Sequence, residues 1–149
     1  MRRYIALLLM AAGIFFIDRA IKELFLNGLF IDTSCITFGY VLNKGVAFSM
    51  FAFLGEYLKW ILLVLVAAVL VYLYREGLLW RHPLVFGLLL GAALGNLYDR
   101  FVYGGVIDYV YWHCGFDFAV FNFADVMIDL AVIILLYFHF KEKGRVAQG

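Results

Sequence analysis

The sequence predicts an all-α membrane protein, four transmembrane helices with a small extracytoplasmic β-sheet, and three observations carry that prediction. Of the 149 residues, 66% are hydrophobic and 15% charged, with a mean hydropathy of +0.96. Soluble domains run to about 45–50% apolar and about 25% charged residues, so this chain is not one of them. Four stretches reach the roughly 20 apolar residues that a helix needs to cross a bilayer: Tyr4 to Phe25, Tyr57 to Tyr74, Pro83 to Tyr103 and Asn122 to Phe140. The charges, which sum to only +1, separate by position. That balance excludes a nucleic-acid-binding surface, and a single proline among long apolar runs excludes a disordered chain.

The first span opens on Met1-Arg2-Arg3 and runs through Ile5 to Ile17, much like the charged and apolar regions of a secretory signal. Asp18-Arg19 follows in place of a small-residue cleavage site, which predicts a retained span. Asp32-Thr33-Ser34 before Cys35 suits no lipidation box, so the chain does not read as a lipoprotein. Beyond that span, Ile36, Phe38, Tyr40 and Leu42 alternate with Thr37, Gly39 and Val41, which is strand periodicity. Pro83 suits the first turn of the third span, where a missing N–H costs nothing. In the last loop Phe116, Phe118 and Val120 alternate with Asp117 and Ala119, a second strand candidate beside the first. With no repeat, linker or low-complexity tract, residues 1–149 read as a single domain.

Basic residues mark the cytoplasmic ends of spans. Arg2 and Arg3, Arg75 and Arg81, and Lys141, Lys143 and Arg145 share one side after four crossings, which puts both termini in the cytoplasm. Residues Asn27 to Glu56 and Gly104 to Phe121 then lie outside. The acids Asp18, Glu23, Asp32, Glu56, Asp99, Asp108, Asp117 and Asp125 gather at or near that outer face.

Ionisable groups at membrane depth cost about 2.5–3.5 kcal/mol each on insertion scales, so each calls for a partner or a purpose. Asp18 with Lys22 and Arg19 with Glu23 stand four apart, so each pair meets on one helix face, either to fix helix depth or to serve a site. Asp99-Arg100 closes the third span after Gly91, Ala92, Ala93 and Gly95, small residues that let helices approach. Asn96 and Arg100, four apart, are placed to brace a carboxylate. Asp108, after Gly104-Gly105-Val106-Ile107, and Asp125, at the start of the last span, should both lie near the outer interface. If they meet in a poorly hydrated site they share a proton, one acting as base and the other as acid; apart, Asp125 is a helix N-terminal cap.

Other chemistries fit poorly. The two serines, Ser34 and Ser49, lie in no nucleophile elbow, and His139 belongs to the opposite face. His82, His113 and His139 are too dispersed for a metal helix, and neither Cys35 nor Cys114 has metal-ligand spacing, so no metal is expected. A single bridge between the two cysteines stays open. Tyr103, Tyr109, Tyr111 and Trp112 read as an interfacial aromatic belt.

Five ordered motifs run through the chain: Asp18-Arg19-Ala20-Ile21-Lys22, Asn43 to Ser49, Gly95 to Arg100, Gly104 to Tyr109 and Phe121 to Asp125. Together, over nearly its whole length, they resemble those of the bacterial lipoprotein signal peptidase (signal peptidase II) family. The resemblance implies an intramembrane aspartic endopeptidase of the cytoplasmic (inner) membrane that cleaves prolipoproteins just before a diacylglyceryl-modified cysteine. It implies Asp108 and Asp125 as the catalytic pair, Asn43 and Gly45 on a substrate-contacting loop, Asn96, Asp99, Arg100 and Asn122 around the pair, and Asp18 and Lys22 in support. It further implies no cofactor, lipid-modified prolipoproteins and membrane lipids as partners, no nucleic acid, and a monomer. Arg19 and Val46 depart from the family's usual residues without touching the pair. Asp129 is outside the motifs; it lies one turn deeper than Asp125 on the same face, where it is expected to be buried, neutral or hydrogen-bonded, and not catalytic.

The alternative is a small proton-coupled transporter or membrane assembly factor using the same carboxylates as a relay. A relay needs a polar path across the bilayer, and apart from Asp129 the middle and inner thirds of the spans hold almost no ionisable residue.

Overall fold

Runs of Leu, Ile, Val, Ala and Phe without internal proline leave the backbone to satisfy itself, and in lipid that means helix. The computed structural model describes residues 1–46 and 50–146. Ala47, Phe48 and Ser49 of the second motif lie outside those described residues. The four helices are α1 (Arg2–Leu26), α2 (Tyr57–Arg75), α3 (Pro83–Val102) and α4 (Phe123–Val146). All four carry stretches long and apolar enough to cross a membrane. Their ends agree with the expected spans to within a few residues, save that α4 continues as helix beyond its apolar part. Pro83 begins α3, where its missing N–H leaves no bond unmade.

Between helices the chain forms β1 (Ile31–Asp32), β2 (Ile36–Asn43) and β3 (Val106–Trp112), an antiparallel sheet in the order β1-β2-β3. The sheet lies at the end of the bundle where α1 and α3 finish and α2 and α4 begin. Two sequence expectations need correction here. Phe116 to Val120 is not a strand; only Phe121 makes an isolated bridge, to Val110. The second long strand is instead β3, whose first four residues are all buried, so that it reads as a continuous apolar run and not as an alternation.

The expected alternation of β2 also fails midway. Phe38 pairs with Val110 but Val41 pairs with Asp108, so β2 holds one extra residue there, a β-bulge. A one-residue shift moves every later side chain to the opposite face. Uninterrupted register would put Tyr40 and Leu42 on the side of Asp108; with the bulge, Val41 and Asn43 face it. Cys35 and Cys114, at the far end of the same two strands, form a disulfide.

Helices α1 and α3 pack closely along Gly87, Gly91 and Gly95. A methyl on Gly91 would sit 2.4 Å from the Ala11 carbonyl oxygen, and one on Gly87 2.6 Å from that of Leu7. This is the close approach that the small residues of the third span predict. Apolar contacts of Leu7 with Leu79 and Phe86, and of Ile14 with Ala92 and Ala124, fill the interior at two levels. By contrast α2 buries only Leu58.

Candidate active site

The start of α4 is built by a reciprocal cap. Asn122, just before the helix, accepts the Asp125 backbone N–H on its Oδ1 at 2.9 Å, while the Asp125 carboxylate accepts the Asn122 N–H at 3.1 Å. This is the geometry of a capping box, with Asp in the place usual for Glu. The Phe123 N–H donates to the Tyr109 hydroxyl at 2.9 Å. Tyr109 is buried and stacked on Phe25, and burial pushes its phenol up, so the hydroxyl keeps its proton. It is an internal brace and not part of the expected aromatic belt.

The same Asn122 joins the two aspartates. Its Nδ2 donates to Asp108 Oδ1 at 2.7 Å and to Asn96 Oδ1 at 3.1 Å, and Asn96 Nδ2 in turn donates to Asp125 Oδ1 at 2.8 Å. Asn43, turned inward by the bulge, donates to Asp108 Oδ2 at 2.9 Å. Its own Oδ1 accepts the Gly45 N–H at 3.0 Å, which folds the following loop back. Each carboxylate therefore accepts one hydrogen bond on each oxygen, from neutral amides alone. Burial pushes the Asp108 carboxyl up to about 6; the Asp125 charge adds to this, and the Asn43 and Asn122 hydrogen bonds oppose it.

Both aspartates open onto a cavity of about 460 Å³. Its polar end holds Asn43, Asn96, Arg100, Asp108 and Asp125, and its apolar walls include Leu62, Val66, Ala93, Leu97 and Ile128 from α2, α3 and α4. Phe118, Ala119 and Val120, the stretch that does not form a strand, line it as well. Asp129 also lines this cavity but is exposed, contrary to the burial expected of it. Residues a full turn apart on α4 share a face, but sharing the face of Asp125 does not by itself bury Asp129.

Behind the pair lies a second group of charges. Lys22 makes ion pairs with Asp18 and Asp99, each at 2.7 Å, and donates to Asn96 Oδ1 at 2.9 Å. Arg19 pairs with Asp99 at 2.5 Å and with Glu23 at 3.7 Å, and donates to the Tyr103 hydroxyl at 3.2 Å. The helix-face pairs expected within α1 both form. The expected bracing of a carboxylate by Arg100 does not: its guanidinium donates to the Gly45 carbonyl at 2.5 Å and to the Asn96 carbonyl at 3.5 Å. Asn96 alone takes that role. Arg19, which the sequence marks only as a departure, is the second cation on Asp99.

Asp108, Asp125, Asn43, Asn96 and Asn122 thus come together at the cavity, Gly45 and Arg100 close its loop side, and Asp18, Lys22 and Asp99 stand behind. Fold and site define a small multi-pass membrane protein that keeps two amide-held carboxyl groups, Asp108 buried and Asp125 half-buried, at the polar end of an apolar cleft. The family described as Signal peptidase (SPase) II matches residues 10–141, and the chain belongs to that family. It is a multi-pass membrane signal peptidase. It is 58% identical to a lipoprotein signal peptidase of Sulfurovum sp. (strain NBC37-1) over 97% of this chain and 100% of that one. To one of Helicobacter pylori (strain P12) it is 47% identical over 91% of each. Its fold is similar to that of a bacterial membrane enzyme solved by the in meso method at 2.3 Å resolution: the TM-score is 0.79 at 22% identity, covering 93% and 90% of the two chains. These relatives lend no support to a transporter or assembly factor.

Proposed function

We propose that this chain is an intramembrane aspartic endopeptidase that removes the signal peptide from prolipoproteins just before the diacylglyceryl-modified cysteine. The observation that carries the reading is that one residue, Asn122, bonds both aspartates at the polar end of an apolar cleft, Asp108 through its side-chain amide and Asp125 through its backbone N–H. A peptide bond in lipid is protected from water, so the enzyme must hold a water between two carboxyls where the chain arrives from the membrane. One aspartate, ionised, takes the water's proton while the other, protonated, polarises the scissile carbonyl; that proton then passes to the leaving amine. Burial favours one shared proton on the pair, since two adjacent carboxylates cannot both ionise readily.

The apolar walls of the cleft suit the signal helix and acyl chains. The loop folded back by Asn43 and Gly45 suits the residues beside the lipidated cysteine. Basic residues at the opposite end support an orientation in the bacterial inner membrane with both termini cytoplasmic and the sheet outside. Residues 1–149 act as one peptidase domain, as a monomer, and the chemistry calls on no cofactor. The test is purified protein with a prolipoprotein bearing or lacking diacylglycerol on its cysteine: cleavage of the lipidated form only is expected. Equal cutting of both forms defeats the proposed specificity, and no cutting of either defeats the activity.

A further inference from the structure

We propose that Lys22 is a positioning residue that sets the spacing of Asp108 and Asp125 from behind, by tying together the two carboxylates that hold the backbone just ahead of each. The proposal rests on the reading of that pair as catalytic. Asp18 Oδ2 pairs with Lys22 while its Oδ1 accepts the N–H of Ala124, the residue before Asp125, at 3.2 Å. Asp99 Oδ2 pairs with Lys22 and accepts the N–H of Ile107, the residue before Asp108, at 3.1 Å. The same ammonium therefore reaches both β3 and α4 by equivalent routes: carboxylate, then the amide one residue upstream of the reacting side chain.

The geometry leaves this junction little freedom. The Lys22 ammonium is held by two ion pairs, to Asp18 and Asp99, and by the hydrogen bond it donates to Asn96. Asn96 Oδ1 is taken by Lys22 and Asn122, so its amide NH2 has to point at Asp125. Asp18 lies close against Gly95, where an added methyl would come within 2.5 Å of its Oδ2. Asp18, Lys22 and Asp99 are all fully buried. A pair serving only to fix the depth of α1 needs one carboxylate. The further partners, Asp99 and Asn96, come from α3, and each is bonded onward to a residue of the pair or to its neighbour.

Lys22 touches no reacting atom, so its loss should spoil alignment and leave the substrate cleft intact. A displacement of about 1 Å at a reacting group can cost about 10²-fold in rate. For Lys22→Met in the full-length protein we expect kcat on lipidated prolipoprotein to fall about 100-fold with KM changed less than about threefold. Hydrogen exchange at the Ile107 and Ala124 amides should quicken at least about tenfold, while amides in the middle of α3 stay protected. A kcat within about threefold of the parent, a rise in KM alone, or unchanged exchange at both amides overturns the proposal. Should Lys22→Met fail to fold, Asp18→Asn/Lys22→Met, which leaves Asp99 balanced by Arg19, is judged by the same outcomes. Asp108→Asn is run alongside: if it is folded and still cleaves, the catalytic reading fails, whereas the exchange result reports on the tether whatever the reaction.

Discussion

Two groups of carboxylates face each other across Asn96, and they are stabilised in opposite ways. Asp18 and Asp99 are matched by Lys22 and Arg19 and sealed between α1 and α3. Asp108 and Asp125 receive only neutral amides and face an open cleft. A buried charge beside a counter-charge is compensated, and breaking the match is costly. The Asp108 carboxyl, held by amides alone, is pushed by burial up to about 6, toward the range in which side chains exchange protons near neutral pH. On the proposed reading, the molecule separates the charges that hold it together from those that react.

The largest test of this contrast is on the reactive side. Asp108→Asn and Asp125→Asn should each lower cleavage by about 10²–10⁴-fold with the protein still folded. Because the two act as a unit, the double variant should be little worse than either single one. Near-normal turnover by a single variant would dissolve the distinction. On the structural side Asp99→Asn should cost about 3–5 kcal/mol of stability, as expected when one partner of a buried ion pair is removed. Thermal unfolding in detergent measures it, and an unshifted midpoint would mean that the cluster stabilises nothing. Activity should fall along with stability, through Lys22 and the Ile107 amide and not through Arg100.

A subtler contrast lies in pH. Asp108 is raised from 3.8 to about 6 in the folded protein, so between those values the native state binds the extra proton. Stability should therefore fall as pH rises from about 4 to 6 and then level off, by at most roughly 3 kcal/mol at about 1.4 kcal/mol per pKa unit. Asp108→Asn should lose that slope; a slope that persists unchanged belongs to another group. The smallest effect is expected at Asp129, which belongs to neither cluster. With no bonded partner among the described residues, Asp129→Asn should change cleavage less than about threefold, as exposed substitutions usually do. A folded but inactive variant would extend the reactive group one turn along α4.

The spans were legible because a continuous apolar run of about 20 residues has the helix as its spanning solution in lipid, and apolar length reports it directly. The two aspartates were legible through their motifs, and Asn122-x-x-Asp125 ahead of an apolar run is readable as a capping box in its own right. Strand β3 was not, because burial on both faces erases the period that marks a strand. Nor was the bulge, which nothing in Ile36–Asn43 announces beyond Gly39, yet it turns Asn43 toward Asp108. Arg19 was read only against its helix neighbour Glu23, since its stronger partner Asp99 comes from another helix. Asp129 went astray for a related reason: helical spacing placed it correctly on the face of Asp125, but whether that face is covered depends on how closely α2 packs.

The ion pairs within α1 also bear on how the chain is made. Asp18 with Lys22, and Arg19 with Glu23, are neighbours on one helix, so α1 can enter the bilayer during synthesis with its charges already matched. Asn96, which completes the Lys22 shell, is added 74 residues later, near the end of α3. Until then the Lys22 ammonium lacks its final partners, and an Asp18 oxygen waits longer still, for the Ala124 N–H of α4, at a depth where lone polar groups are disfavoured. The first helix therefore enters the membrane carrying a half-made socket, and α3, which arrives with Asp99 beside Arg100, is the helix that fills it. If Lys22 aligns the pair as proposed, assembly and site formation become one event, and a chain that has not yet brought α3 against α1 has no aligned pair with which to cut its neighbours.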